Sequence, residues 1–276
     1  MKNESGKVVV ITGAAGGIGA ALAEEALSRG YRLALADLDT GALGILREKF
    51  KPDCICHQLD VSDPDAMNQF AEDIFKQFGR VDILFNNAGI FNTGKILDQS
   101  HRGWQKIMQV NLFGVLNGVH AFGPRMLESG LPSHIVNTAS VSGLFVSPMV
   151  GAYSVSKTAV VALSEVLHFE MMAEENPVNI SVICPGAVKT RILEADRHGD
   201  DMGRSEKADK YLGKMQDALS ENGMEPEELA KLVFDQVLAG KFWITPHPDL
   251  LESVVTRAKN IVSGINPVFK MRRTIK

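Results

Sequence analysis

The chain lacks the features that mark several large classes of protein. Its 276 residues carry a formal net charge of −4 with a pI near 6.0, so no basic footprint predicts binding to nucleic acid or to an anionic membrane. Only three cysteines occur, at Cys54, Cys56 and Cys184. Because this count is odd and two of them alternate within a predicted strand, buried thiols are favoured over a disulfide or a metal site. No His/Cys spacing suits a metal, so we expect none.

Long apolar segments and flexible linkers are also lacking. The segment of residues 1–6 is short and polar, so we expect no signal peptide before the first strand. We therefore expect a cytoplasmic location. A 22-residue run from Ile135 to Ser156 carries no charge, but its hydroxyl and amide side chains exclude a membrane span. No repeat, and no linker rich in Pro, Gly or Ser, divides the chain. We therefore predict a single domain over residues 1–276.

Strand and helix signals alternate along the chain, which predicts an α/β fold with a doubly wound parallel sheet of about seven strands and helices on both faces. We expect a cofactor-binding half at about 1–130, a catalytic half at about 131–250 and a tail helix at 251–276. The clearest predicted helices are Pro64–Phe78 and Trp104–Leu127. The predicted strands are Val8–Thr12, Arg32–Ala36, Cys54–Gln58, Ile83–Asn86, His134–Asn137, Asn179–Cys184 and Phe242–Thr245.

A glycine-rich turn joins the first predicted strand to the first predicted helix. The β-branched run ends at Thr12, and Gly13-Ala14-Ala15-Gly16-Gly17-Ile18-Gly19 follows. Glycines permit unusual φ values and close approach of a ligand, and the N–H groups at the helix start favour a pyrophosphate. Taken alone, the turn also fits a flavin site, a methyl-donor site or a purely structural turn.

An acidic residue ends the second predicted strand. Asp37 stands 24 positions after Gly13, where a carboxylate can accept hydrogen bonds from an adenosine ribose and repel a 2′-phosphate. No Arg or Lys lies in the glycine turn or directly after Asp37, so the pattern favours NAD over NADP. The alternative is that Asp37 or Asp39 caps the following helix.

Tyr153 and Lys157 lie four residues apart at the head of a predicted helix and therefore share one face. A phenol has an ordinary pKa of ~10, and a nearby ammonium favours its ionised form. We therefore expect Lys157 to lower the pKa of Tyr153. Ser140 lies thirteen positions before Tyr153 in the uncharged run. Alone, the pair could also be an exposed lysine beside a half-buried tyrosine.

These motifs together resemble those of the short-chain dehydrogenase/reductase family. The residues that match in order and spacing are Thr12–Gly19, Asn86-Asn87-Ala88-Gly89, Asn111, Ser140, Tyr153, Lys157 and Pro185-Gly186. The match is dense from Lys7 to Thr190 and loose beyond. It implies a single-domain Rossmann-type fold and an NAD(P)-dependent oxidoreductase that interconverts a small-molecule alcohol and ketone. It also implies a homodimer or homotetramer.

The resemblance assigns roles to individual residues. Tyr153 would be the acid and base, with Lys157 bonding the nicotinamide ribose and Ser140 the substrate oxygen. Asn111 would hold a water between Lys157 and solvent, although a structural amide is the alternative. The expected NAD contacts are Gly13, Ala15, Gly16, Gly17, Ile18, Gly19, Asp37, Leu38, Asp60, Val61, Asn87, Ala88, Gly89, Tyr153, Lys157, Pro185, Gly186, Val188 and Thr190.

Two of these assignments have simpler alternatives. Asp60 could cap the helix that starts near Pro64, and Pro185-Gly186 could be an ordinary turn. By the resemblance, the Val188 main chain and the Thr190 hydroxyl would hold the carboxamide.

The substrate is the least determined feature. The expected pocket is mostly apolar, which favours an uncharged aryl or alicyclic molecule, although the same residues could simply pack a loop onto the core. Its members are Ser140, Val141, Ser142, Leu144, Phe145, Met149, Tyr153 and Ile192. An NADPH-dependent reductase of an acyl or polyketide-type ketone, and a non-catalytic dinucleotide sensor, remain alternatives.

Two further segments are expected near the carboxyl end. The charged stretch Arg191 to Gly223 is predicted to form a lid over the pocket. The tail after residue 250 has an apolar helical face that could join an oligomer contact or pack on its own domain.

Overall fold

Seven parallel strands form one sheet in the computed structural model, which describes residues 6–194 and 206–268. The order across the sheet is β3-β2-β1-β4-β5-β6-β7. The predicted doubly wound sheet is confirmed, and each predicted strand end lies within one residue of the observed end. The strands are β1 Val8–Thr12, β2 Arg32–Asp37, β3 Cys54–Gln58, β4 Ile83–Asn86, β5 Ser133–Thr138, β6 Val178–Ile183 and β7 Trp243–Ile244.

Both faces of the sheet are covered, which is why its strands are apolar without alternation. All five residues of β1 are buried. Val9 and Ile11 pack into one hydrophobic cluster, whereas Val8 and Val10 pack into another. Successive side chains of a strand point to opposite faces, so β1 lies between the two layers.

Helices follow most of the strands. The helix predicted over Trp104–Leu127 begins earlier, at His101, and is interrupted by a π turn at Gln109–Phe113 that contains Asn111. A 3.6-residue period cannot reveal such an inserted residue. The helices are α1 Gly17–Ser28, α2 Thr40–Phe50, α3 Pro64–Phe78, α4 His101–Met108, α5 Gly114–Glu128, α6 Gly151–Ala173, α7 Glu206–Asn222, α8 Pro226–Leu238 and α9 Leu251–Val262.

Two aspartates other than the predicted site residues cap α2 and α3. Asp39 Oδ1 accepts from the Ala42 N–H at 3.0 Å, and Asp63 Oδ1 accepts from the Ala66 N–H at 3.0 Å. Neither Asp37 nor Asp60 is the capping residue of these helices. Both carboxylates therefore remain candidates for the nucleotide site.

The tail helix α9 does not bury its apolar face. None of its residues is buried, and Val255, Ile261 and Val262 are exposed. Of the apolar face only Leu251 and Val254 are half-buried, so packing on its own domain, one of the two alternatives for the tail, is limited to the first turn of the helix. Part of the expected lid, residues 195–205, lies outside them.

Composition-based expectations can also be compared with the described residues. All three thiols are free and buried. None of the described helices has both the length and the apolar character that a bilayer span requires. In the same ranges, no group of three or more His, Cys, Asp or Glu side chains is placed to hold a metal.

Candidate active site

The topology places the predicted site at the carboxyl ends of the central strands. β1 and β4 are neighbours, yet the chain continues from β1 toward one edge of the sheet and from β4 toward the other. Such a switch point opens a crevice at the carboxyl ends of the strands. The loops after β1, β4, β5 and β6 carry most of the predicted site residues.

The glycine turn after β1 is packed too closely for side chains, as Gly13 and Gly19 show. Gly13 has a φ of +65°, and a Cβ on it would lie 2.7 Å from Ala88 Cα. A Cβ on Gly19 would lie 2.0 Å from the Gly13 carbonyl oxygen. The following helix α1 has no side-chain cap at its N-terminus. Its first N–H groups are therefore available to an anion such as a pyrophosphate.

Thr12 joins this turn to the loop after β4. Its buried hydroxyl accepts from the N–H groups of Asn87 at 3.0 Å and Ala88 at 3.2 Å, and donates to the Phe85 carbonyl at 3.3 Å. Asn87 Nδ2 returns bonds to the carbonyls of Thr12 and Gly13 at 3.2 and 3.3 Å. The two loops therefore form one braced unit, a role for Thr12 that sequence reasoning had not assigned.

Asp37 is bonded to the same glycine turn. Its Oδ2 accepts from the Ala15 N–H at 2.9 Å and its Oδ1 from the Asp39 N–H at 3.0 Å. The carboxylate is half-buried at the end of β2. The position is the one expected for a group that recognises a ribose. The adjacent Leu38 is 53% exposed, so its apolar surface is available to an adenine.

Asp60 and Val61, which follow β3, bond mainly to other groups of the protein. Asp60 Oδ1 accepts from the N–H and the hydroxyl of Ser62 at 2.9 and 2.7 Å. The Val61 side chain is buried against Gly114, and its carbonyl accepts from Asn117 Nδ2 at 2.9 Å. Any contact of Val61 with a nucleotide would therefore have to come from its main-chain N–H.

Ser140, Tyr153 and Lys157 converge in a buried cluster. Tyr153 and Lys157 lie near the start of α6, and Ser140 follows β5. Lys157 Nζ donates to the Thr138 carbonyl at 2.8 Å and lies 5.8 Å from the centroid of the Tyr153 ring. The Ser140 hydroxyl lies near enough to the Tyr153 phenol to affect its pKa. The structure thus brings together three of the four predicted catalytic residues.

Burial controls the protonation of this cluster. It raises the pKa of Tyr153 to about 12, with the nearby Ser140 hydroxyl acting in the opposite direction. It lowers the pKa of Lys157 to about 8, against the effect of the nearby Cys184 thiol group. The net shift of the Tyr153 pKa is upward, because the loss of hydration disfavours the phenolate, and Lys157 is not among the groups that oppose this shift.

Asn111, the fourth predicted catalytic residue, uses its side chain within the protein. Its Oδ1 accepts from the Ile90 N–H at 2.8 Å, while its Nδ2 donates to the Ile90 carbonyl at 3.0 Å and to Ser156 Oγ at 3.1 Å. These bonds match the structural alternative. A Cβ on Gly89 would lie 3.4 Å from Lys157 Nζ and 3.5 Å from Asn111 Oδ1, so both groups flank Gly89.

The turn after β6, residues 185–190, is fixed from several sides. The Pro185 carbonyl accepts from the Val141 N–H at 2.9 Å, and a Cβ on Gly17 would lie 2.8 Å from Thr190 Cγ2. Val188 is buried, yet no hydrogen bond in the described part of the chain involves its N–H or its C=O. Buried main-chain groups are almost always paired. These two are therefore suited to the amide of a ligand.

Apolar side chains flank the phenol. Phe91 packs edge-on against Tyr153 with ring centroids 4.8 Å apart, a contact that sequence reasoning had not predicted. Its only sequence signal is its position two residues after the Asn86–Gly89 motif.

The predicted substrate residues lie before and around the start of α6 and after β6. Met149 has a φ of +71°, which is uncommon for a residue with a side chain. The Ser142 N–H donates to Ser140 Oγ at 3.1 Å. Half-buried positions are held by Val141, Leu144, Phe145, Met149 and Ile192.

Three features fit a bound dinucleotide. They are the close-packed glycine turn, the start of α1 without a side-chain cap, and the unpaired main-chain groups of Val188. The family model described as short chain dehydrogenase matches residues 7–201. This chain belongs to the short-chain dehydrogenase/reductase family. As a family member it is an oxidoreductase with a nucleotide-binding Rossmann fold.

Named relatives extend over nearly the whole chain of this short-chain dehydrogenase. It is 30% identical to a "CLA biosynthesis dehydrogenase/reductase" of Lactiplantibacillus plantarum, with 97% of each chain covered. It is also 30% identical to the "C alpha-dehydrogenase" of Sphingobium sp., over 97% of this chain and 89% of that protein.

A solved structure agrees closely with the fold. A short-chain dehydrogenase/reductase from Burkholderia phymatum in complex with NAD superimposes with a TM-score of 0.93 at 35% identity, covering 99% of this chain and 100% of that chain. The apo form of LigD from Sphingobium sp. gives a TM-score of 0.79 at 26% identity, covering 96% of this chain and 99% of that chain.

Proposed function

We propose that this short-chain dehydrogenase interconverts a secondary alcohol and a ketone with NAD(H), and that Tyr153 is the acid and base. The main support is the buried cluster of Ser140, Tyr153 and Lys157 beside the braced glycine turn. Burying a lysine is costly. Lys157 is 2% exposed and makes one hydrogen bond, to a carbonyl, so a functional reason for its position is favoured over a structural one.

Each residue of the cluster has a distinct task. When bound, the nicotinamide accepts or supplies the hydride. The Ser140 hydroxyl donates only a weak bond, at 3.4 Å, to the Pro185 carbonyl, so it can turn to a substrate oxygen at little cost. In ketone reduction Tyr153 gives its proton to the forming alkoxide. In alcohol oxidation Tyr153 takes the hydroxyl proton, and the Lys157 ammonium stabilises the phenolate.

NAD is the proposed cofactor. The Asp37 carboxylate at the end of β2 can accept hydrogen bonds from ribose hydroxyls and repels a 2′-phosphate. The similar Burkholderia phymatum structure contains NAD, which supports the same choice. Val188 and Thr190 would hold the carboxamide, and the N–H groups at the start of α1 would hold the pyrophosphate.

One observation favours NADPH as a second candidate. A Cβ on Gly16 would lie 3.4 Å from Arg191 Nη2, so a cation lies against the glycine turn although none occurs within it. No ion pair joins Arg191 to another residue of the described ranges. Titration of the purified protein with NADH and with NADPH decides between the two cofactors.

The proposed substrate is an uncharged aryl or alicyclic alcohol or ketone. Phe91 places an aromatic ring against the phenol, and the half-buried Leu144, Phe145, Met149 and Ile192 add apolar surface. Initial rates of NADH formation with aliphatic, aryl and steroidal secondary alcohols test this class. Preference for short aliphatic alcohols would contradict it.

Tyr153→Phe tests the proposed chemistry directly. The variant keeps the ring and its contact with Phe91 but has no proton to transfer. We expect turnover to be abolished, while NADH binding measured by fluorescence titration changes less than about twofold. Substantial remaining turnover would exclude Tyr153 from its role.

Other expectations stay predictions. Exposed apolar side chains on α6, at Val166, Phe169 and Met172, support a homo-oligomer, which light scattering during gel filtration would detect. The cytoplasmic location and the division of the domain near residue 130 also stay predictions.

A further inference from the structure

A histidine from the carboxyl-terminal region holds the turn at residues 185–190. His247 lies just after β7, far from the turn in sequence. Its Nδ1 accepts from the Gly186 N–H at 3.0 Å, and its Nε2 lies 3.1 Å from the Ala187 carbonyl oxygen. Because Nδ1 is the acceptor, the ring proton is on Nε2, which donates to Ala187.

The imidazole also packs against the turn. A Cβ on Gly186 would lie 2.9 Å from His247 Cγ and 2.8 Å from Leu250 Cδ1, so only glycine fits here without a shift. The Ala187 carbonyl also accepts from the Met224 N–H at 3.0 Å. The Gly186 N–H, in contrast, has no partner other than His247 within the described residues. The position of Gly186 therefore depends on one side chain.

Val188 lies two positions after Gly186. It is buried, and its N–H and C=O are unpaired in the described part of the chain. The Val188 N–H lies in one peptide plane with the Ala187 carbonyl, which His247 and Met224 both bond. The Val188 C=O lies in one plane with the Lys189 N–H, which donates to the Met224 carbonyl, so His247 acts mainly on the N–H. A ligand amide bonded at both groups would be sensitive to small rotations of these peptides, because hydrogen bonds weaken steeply away from linearity.

We propose that His247 is a positioning residue that holds the Val188 main chain ready for the carboxamide of the nicotinamide. The proposal rests on the proposed function, because it requires a nicotinamide nucleotide in the cleft. It gives the segment after β7 a part in cofactor recognition.

Calorimetric titration of the full-length protein with NADH and with ADP-ribose tests the proposal. ADP-ribose retains the adenosine, pyrophosphate and second ribose but lacks the nicotinamide. We expect His247→Phe, which removes both hydrogen bonds, to weaken NADH binding about tenfold and ADP-ribose binding less than about twofold. His247→Asn should recover most of the NADH affinity, because Asn Oδ1 can occupy the place of Nδ1 and accept from Gly186.

His168→Phe is the matched control. His168 packs on Phe242 with ring centroids 4.7 Å apart, so it contacts the segment leading into β7 without reaching the turn. Both affinities should stay unchanged in this variant. If His247→Phe does not fold, His247→Ala takes its place.

Three results would overturn the proposal. Equal losses for NADH and ADP-ribose would show a general structural role, and no loss for NADH would show no role. A His247→Asn variant as weak as His247→Phe would equally exclude the Gly186 bond as the cause. Failure of the wild-type protein to bind either nucleotide would instead contradict the proposed function.

Discussion

Replacing Thr12 by valine should uncouple the two loops that form the cofactor side of the site. Valine keeps the shape of threonine but removes the hydroxyl that accepts from the N–H groups of Asn87 and Ala88. Thr12 is 2% exposed, so water cannot replace the lost acceptor without local opening. The two N–H groups would be left unpaired beside an apolar methyl.

The expected loss of folding stability follows from the number of hydrogen bonds that the substitution removes. A buried donor left unpaired costs about 1–3 kcal/mol. Asn87 and Ala88 are only half-buried, so values near the lower end apply and the two donors together cost about 2–3 kcal/mol. For a chain of this size, this corresponds to a fall in melting temperature of about 5–10 °C.

Thermal unfolding followed by tryptophan fluorescence measures this loss, and Thr12→Ser is the control because it keeps the hydroxyl. Affinity for NADH should fall together with stability in the valine variant, because Asn87 also bonds the Thr12 and Gly13 carbonyls. A Thr12→Val protein within about 1 °C of the wild type would refute the bracing role.

Two further predictions concern single charged or ionisable side chains. Asp37→Asn removes the negative charge while keeping one oxygen that can accept from Ala15 or Asp39, so the ratio of NADPH to NADH affinity should rise about tenfold or more. An unchanged ratio would contradict the assignment of Asp37. Burial lowers the pKa of His134 to about 4, whereas the unfolded chain titrates near ~6.5 and binds more protons in between. Stability should therefore fall by up to about 3 kcal/mol as the pH drops from ~6.5 to ~4, and His134→Gln should flatten this slope in urea unfolding curves.

The sequence predicted the fold well because parallel strands covered on both faces are continuous apolar runs with sharp ends. β1, β3 and β4 have the bounds that were predicted. The cofactor motifs were predictable for a related reason, since most of them lie in loops directly after strands, whereas Tyr153 and Lys157 were predictable from their helical spacing. Where two acids stand close together, the pattern could not say which caps the helix, and the structure assigns the caps to Asp39 and Asp63.

Other parts of the site depend on contacts between distant segments. His247 reaches Gly186 across 61 positions, and Arg191 lies against Gly16, and neither pair has a local sequence signal. The π turn around Asn111 is a small change in backbone register that the apolar pattern tolerates. The spacing of residues in the sequence also does not show how deeply a side chain is buried. Burial raises the pKa of Tyr153, whereas a lower pKa was expected.

This reversal should make the two directions of the reaction respond differently to pH. With a pKa of about 12, Tyr153 stays protonated from about pH 6 to about pH 9, so ketone reduction should have its proton donor throughout that range.

Alcohol oxidation needs the phenolate, whose fraction rises about tenfold per pH unit below that pKa. Above about pH 8 Lys157 loses its proton, and with it the charge that stabilises the phenolate. The oxidation rate should therefore climb steeply up to about pH 8 and then flatten, while the reduction rate stays nearly constant up to that point. Initial rates measured in both directions at saturating cofactor test this difference. Parallel profiles in the two directions would show that a group other than the Tyr153 and Lys157 pair controls the proton.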